Sequence, residues 1–248
     1  MADLIKLLPQ QVALIGDVHG DLQVILDGID KRGIYDSVLI QVGDLGLGFG
    51  DPRREKGRLV TLNRRLDECG NVLIAERGNH DDPSFWDDGE EPQYSNIWLI
   101  KDYTTVQINQ DIYCFVGGAT SIDRHIRRPY VDWWPGEGFV YDEEKIKNLP
   151  QIDVMVTHTA PHIAEPPLMS LSIGTKTHPV LNDDFQKSVD ESNEERRRMT
   201  DMYYNMEFKP AYWYYGHFHR SYVTKGSCKF IGLDINEFKE HRSLIDRV

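Results

Sequence analysis

The chain has 248 residues, and its 28 Lys+Arg against 40 Asp+Glu give a formal net charge of −12. At 40% hydrophobic, 27% charged and 10% aromatic, the composition is that of a globular protein and excludes a disordered or fibrous chain. A pI near 5.2 also excludes a protein whose main task is coating nucleic acid or anionic membrane, since either needs a basic surface.

In chain order, Val12 to Ile15 is a short apolar run leading into GDVHG, and Val38 to Val42 leads into GDLG. Between them Leu22, Ile25, Leu26 and Ile29 fall at i, i+3, i+4, i+7, the spacing of an amphipathic helix with Gly33 as its C-cap. Leu59, Leu62 and Leu66 mark a second helix closed by Gly70, and Val72 to Ala75 then runs into GNHD. This opening third reads βαβαβ, a sheet with helices on its faces. Ile97 to Ile100, Thr104 to Ile108 and Ile112 to Val116 follow too closely for crossover helices, which predicts an antiparallel section. Ile152 to Thr157 leads to His158, and Ala211 to Tyr215 leads to GHFH. Between these two runs, Asp183 to Glu207 predicts a helix whose Met199, Met202, Tyr203 and Met206 face the core. Its ESNEERRR run, with Glu194 and Arg198 at i, i+4, predicts a solvated face. Neither repeat nor linker interrupts the pattern, and one domain over residues 1–248 is expected.

Cys69, Cys114 and Cys228 are odd in number and form no CxxC pair, so a reducing compartment is expected rather than a disulfide framework. The N-terminal run has no long apolar h-region, and nothing approaches the ~18 apolar residues of a membrane span. A cytoplasmic protein without a membrane partner is the expectation.

Chemistry gathers at the strand ends. Open sheets bind ligands at the carboxyl ends of their strands, where side chains of several elements converge. Those positions hold Asp17, His19, Asp44, Asn79, His80, His158, His217 and His219, so five of the nine histidines follow apolar runs. A mixed imidazole and carboxylate set suits Mn, Fe, Zn, Co or Ni, whereas Ca and Mg prefer oxygen shells. A carboxylate able to bridge two cations, flanked by imidazoles, also suits a two-ion site.

The ordered set GDVHG (16–20), GD (43–44), GNHD (78–81), His158 and GHFH (216–219) resembles the calcineurin-like metallophosphoesterase superfamily. The resemblance implies an α/β (α+β) fold, a two-sheet β-sandwich flanked by helices with a dinuclear site at one sheet edge. It implies that Asp17, His19 and His219 hold one divalent ion and Asn79, His158 and His217 a second, with Asp44 bridging. Mn ranks first, ahead of Fe, Zn, Ni and Co. His80 would be the non-ligand histidine beside the phosphate, and Asp81 the carboxylate orienting its imidazole. The alternative for Asp81 is an N-cap or Asx-turn before Pro83, and both roles could coexist. The implied reaction is in-line attack of a metal-bridging hydroxide on a phosphoester, with protonated His80 assisting the leaving group and no covalent intermediate.

Departures from the superfamily's subgroups narrow the reading. GDLGLGFG has Leu47 and Gly48 where the Ser/Thr protein phosphatases carry Asp and Arg, and GNHD stands where they have GNHE. Leu47 also occupies the place of the Tyr ligand of purple acid phosphatases, which excludes an iron–tyrosinate site. Thr157 replaces the usual Gly before His158. The segment at 117–139, GGATSIDRHIRRPYVDWWPGEGF, resembles a loop of bacterial and phage-type members. It supplies Arg124, Arg127, Arg128 and Trp133 as candidate substrate contacts, and His162 is a further one. Arg can clamp phosphate and Trp can stack on a base, which suits a small phosphorylated substrate, including a nucleotide. The alternative is a plain surface loop with Trp packed on the sheet edge. Extended nucleic-acid binding is not expected; a nuclease acting on DNA or RNA ends and a non-catalytic scaffold are the alternative functions.

Overall fold

A computed structural model describes residues 5–87, 94–164, 183–224 and 226–243. Strands β2 (Val12–Ile15), β3 (Val38–Gln41) and β4 (Val72–Ala75) pair in parallel, joined by helices α1 (Gln23–Arg32) and α2 (Pro52–Glu68). Alternate residues of these runs face opposite ways, and both faces are buried. Ala13 and Ile15 pack on Ile25, Ile29, Leu59, Leu62 and Leu66 of the two helices, while Val12 and Leu14 face a second sheet. That is why the runs read as continuously apolar rather than alternating. Helix α1 closes at Gly33 in the left-handed region (φ 62). Helix α2 opens on Asp51, whose carboxylate accepts from Arg53 N at 3.1 Å and Arg54 N at 3.0 Å, with Pro52 next.

The antiparallel section holds for only part of the predicted stretch. Strands β6 (Thr104–Ile108) and β7 (Asp111–Val116) do form an antiparallel hairpin. Strand β5 (Ile97–Leu99) instead extends the first sheet in parallel beside β4, Leu73 opposite Ile97. Ile97 and Trp86 both enter the core under α2, so burying them draws β5 to the first sheet. The first sheet thus has five strands in the order β12-β2-β3-β4-β5, with β12 (Phe238–His241) antiparallel at one edge.

The second sheet has seven strands, ordered β1-β6-β7-β8-β9-β11-β10. Here β8 (Val154–Thr157) and β9 (Tyr212–Tyr215) are the central parallel pair, flanked through β11 (Lys229–Gly232) by β10 (Tyr222–Val223) and at the far edge by β1 (Ile5–Leu7). Sequence reading did not anticipate β1, β10, β11 or β12; the edge strands IKL, YV and FKEH are short and half polar, which hides them from an apolar-run criterion. The two sheets face one another across Val12, Leu14, Ile40, Val106, Phe115, Val156 and Tyr214. On the outer face of the second sheet, Met155, Trp213 and Tyr215 pack against α4 (Asp183–Asn205) and Ile146 of the short α3 (Glu143–Lys147). The result is four layers, helix, sheet, sheet, helix, the sandwich that the motif order implied.

Met199 and Met202 are buried on α4, with Met206 just beyond its end. The ESNEERRR run is not wholly solvated. Glu194, Arg197 and Arg198 are exposed, and Arg198 lies 3.7 Å from Glu194 as the spacing predicted. Glu195 and Arg196, however, turn inward, because they continue the helical stripe that carries Met199 and Met202. Cys69, Cys114 and Cys228 are buried and free. Among the described residues no helix is long and apolar enough to cross a membrane.

Candidate metal centre

The carboxyl ends of β2, β3, β4, β8 and β9 open onto one edge of the sandwich. Asp17 follows β2, Asp44 follows β3, Asn79 follows β4, His158 follows β8, and His217 and His219 follow β9. All seven converge. Asp17, fully buried, accepts from His217 N at 3.1 Å and lies 3.1 Å from His219 Nε2. His19 Nε2 and His219 Nε2 face each other at 3.1 Å, and His19 Nδ1 is 3.6 Å from Asp44 Oδ2. Donor atoms of Asp17, His19, Asp44 and His219 all lie within 4.8 Å of one another, a group that could hold a metal ion.

On the other side of Asp44, its Oδ1 is 3.2 Å from His158 Nε2. Asn79 Oδ1 is 3.0 Å from His158 Nε2 and 2.9 Å from His217 Nδ1. The His158 Nδ1 lies 2.8 Å from the Val42 carbonyl, which can only accept, so Nδ1 carries the proton and Nε2 turns into the site. Burial would lower the His158 imidazole, but the Asp44 charge outweighs it and pushes the group up to about 10. Burial likewise opposes ionisation of Asp44, yet His158, His80 and His19 hold it well below the usual carboxylate range.

This arrangement fits cations. Carboxylate oxygens, an amide oxygen and imidazole nitrogens, which offer lone pairs once a cation displaces the His158 proton, point at one another. Asp44 Oδ2 is buried without any hydrogen-bond partner, a costly orphan unless a cation takes it. The backbone is bent to suit. His19, Asp44, His217 and His219 all adopt positive φ, 46°, 60°, 64° and 50°, which side chains rarely do. Gly78 explains its own place in GNHD: a Cβ there would sit 2.1 Å from Asp44 Oδ1.

His80 stands at the rim. Its backbone N–H donates to Asp44 Oδ1 at 2.7 Å. Its ring meets His19 edge-on, with centroids 4.9 Å apart, and tilts against Phe49 at 5.2 Å. Burial pushes its imidazole down to about 4, with Asp44 opposing. Asp81 does not orient that ring. Its carboxylate accepts from the backbone N–H groups of Gly46 at 2.7 Å, Leu47 at 3.0 Å and Gly78 at 2.7 Å, tying the two strand-end loops together. Nor is Asp81 the cap before Pro83; Asp82 fills that role, accepting from Ser84 N at 3.0 Å.

The 117–139 loop splits the remaining candidates. Arg127 reaches His80, its guanidinium nitrogens 3.2 Å from Nδ1 and 3.4 Å from Nε2. Asp123 holds it in a fork, at 2.7 Å from Nε and 2.8 Å from Nη2. Arg124 turns away to Glu191 of α4 and lies 5.9 Å over the Trp133 ring. Arg128 is exposed and pairs with Asp132, and His162 is exposed on a 3-10 turn. Trp134 is buried, with Phe49 packed edge-on against it at 4.7 Å.

Sequence reading missed Phe49, Arg77 and Glu195. Arg77 donates to the carbonyls of Glu137 at 2.9 Å and Gly138 at 3.0 Å, and to Asp102 at 2.9 Å. Glu195 accepts from Thr120 N at 2.9 Å and Phe139 N at 2.7 Å, pinning both arms of the loop to α4. The helical stripe through Met199 and Met202 would have flagged Glu195; no sequence signal names its partners. Glu195→Ala leaves one buried and one half-buried amide without an acceptor, and a loss of about 2–3 kcal/mol in denaturant unfolding at unchanged m-value is expected.

A family model for calcineurin-like phosphoesterases matches residues 11–221. The chain belongs to that family, and its activity class is accordingly metal-dependent hydrolysis of phosphoesters. No curated protein gives a significant match.

Proposed function

We propose that the chain hydrolyses a small phosphorylated substrate, a nucleotide among the candidates, using two divalent cations that share Asp44. One cation would take Asp17, His19, Asp44 and His219, and the other Asp44, Asn79, His158 and His217. Mn is the first choice, with Fe, Zn, Ni and Co also suited to a mixed imidazole and carboxylate shell. The observation that carries this reading is the position of Asp44 between two groups of converging lone pairs, with Oδ2 unpartnered. When bound, such ions supply Lewis acidity and bring the ionisation of water towards neutral pH.

The chain's own residues do the rest. Asp123 holds the Arg127 guanidinium beside His80, where it would receive phosphoryl oxygens and keep the substrate in line. His80, outside both ligand groups, would give a hydrogen bond to the developing charge on the leaving oxygen. Phe49, anchored by Trp134, forms an apolar wall on the same side. The acidic surface supports a small substrate over a polynucleotide, and three buried free thiols support a reducing, cytoplasmic setting.

Titrating the purified chain with Mn²⁺ while following hydrolysis of bis(p-nitrophenyl) phosphate and nucleotides tests the proposal. Two ions per chain and Mn²⁺-dependent turnover are expected; a chain loaded with metal yet inert on every ester would overturn it. Arg127→Ala is expected to raise KM for phosphoester by about 10–100-fold, the worth of a charge-assisted hydrogen bond. An unchanged KM would remove Arg127 from the substrate's reach.

A further inference from the structure

A side-chain amide is nearly symmetric in shape but not in polarity. Turned one way, Asn79 offers its oxygen to the groups around it; turned the other, it offers an NH₂ that no cation accepts. Its orientation is therefore a functional variable. In the structure Oδ1 faces His158 and His217, while Nδ2 donates to Ser121 Oγ at 2.9 Å. Ser121 Oγ donates its own O–H to Glu137 Oε2 at 2.8 Å, and Ser121 N donates to Glu137 Oε1 at 2.7 Å. Asn79, Ser121 and Glu137 are all buried, so water does not compete for these bonds.

The chain has a direction. A carboxylate only accepts, so the Ser121 proton goes to Glu137, and the hydroxyl then has only lone pairs left for Asn79. A flipped amide would set Oδ1 against those lone pairs. Burial raises the Glu137 carboxyl to about 7 even with Ser121 donating to each of its oxygens, so the carboxylate form that accepts both bonds prevails above neutral pH. Glu137 is itself fixed from outside: the Arg77 guanidinium holds its carbonyl, and Glu195 holds Phe139 two residues on.

We infer that Ser121 and Glu137 are positioning residues that lock the Asn79 amide with its oxygen towards the cation held by Asn79, His158 and His217. Neither residue belongs to the sequence motifs of the site; both come from the 117–139 loop. The inference rests on the two-cation reading and adds to it a second role for this loop. Besides presenting Arg127 to substrate, the loop sets the polarity of one ligand.

The test is Mn²⁺ binding, not activity. Stoichiometry and stepwise affinities are measured by equilibrium dialysis with elemental analysis on the full chain. Ser121→Ala is expected to weaken the second site about 10–100-fold, the usual cost of losing a group that orients a ligand, and to leave the first site unchanged. Ser121→Thr, which keeps the hydroxyl, is expected to restore the affinity. The decisive arm is Asn79→Asp, whose two oxygens need no orienting: in that background Ser121→Ala is expected to cost less than about 2-fold. Wild-type affinity at both sites in Ser121→Ala, equal weakening of both sites, or an undiminished loss in the Asn79→Asp background would each overturn the inference. A wild-type chain binding fewer than two ions would instead refute the two-cation reading on which it stands.

Discussion

Asp44→Asn is expected to bind fewer than one Mn²⁺ per chain and to lose at least about 10³-fold in turnover. Asp44 lies between the two ligand groups, through Oδ2 towards His19 and Oδ1 towards His158. An amide in its place keeps the shape but removes the charge that both cations would share. It also breaks a pair with His158 in which both partners are almost wholly buried. Removing one partner of such a pair costs about 3–5 kcal/mol, or two to four orders of magnitude in an equilibrium. Elemental analysis and hydrolysis of bis(p-nitrophenyl) phosphate measure the two losses separately. An Asp44→Asn protein that retained two ions and full activity would remove Asp44 from the centre of the site.

His80→Ala is expected to part those two readouts. Its imidazole touches Arg127, Phe49 and His19 at the rim but takes no place among the converging donor atoms. Both ions should therefore stay, while turnover falls by about 10²–10⁴-fold, the usual contribution of one positioned acid or base. The loss should appear in kcat more than in KM, because the Arg127 proposed to bind phosphate is still in place. Lost metal in this variant would make His80 a ligand instead. Arg127→Ala should give the converse pattern, with the larger change in KM, and the pair together separates binding from catalysis.

Much of this molecule was legible in its sequence because its central strands are buried on both faces. Val12–Ile15, Val38–Gln41, Val72–Ala75, Val154–Thr157 and Tyr212–Tyr215 each form a short, near-continuous apolar run. The residue after such a run is placed at the sheet edge by the backbone alone, so Asp17, Asp44 and His158 could be brought together before any coordinates. The motif glycines were legible for a related reason: at Gly78 and Gly43 a Cβ would strike Asp44 and His158. The sequence by itself thus determined the central strands, the helices on their faces and the residues at their carboxyl ends.

Tertiary structure alone decided what surrounds that centre. Arg124, Arg127 and Arg128 lie within five residues of irregular chain, and nothing periodic says which of them faces His80. A 3-10 turn over Arg124–Ile126 and the Asp123 fork send Arg127 inward and the other two elsewhere. Asp81 was read from its neighbour in the motif, but its carboxylate goes to the amides of Gly46 and Leu47, more than thirty residues away. Glu195 meets Thr120 across 75 residues, and Ser121 meets Asn79 across 42. Local patterns encode which side of an element is buried. They carry no record of which distant loop closes over it, because that depends on how the sheets and α4 bring the chain back.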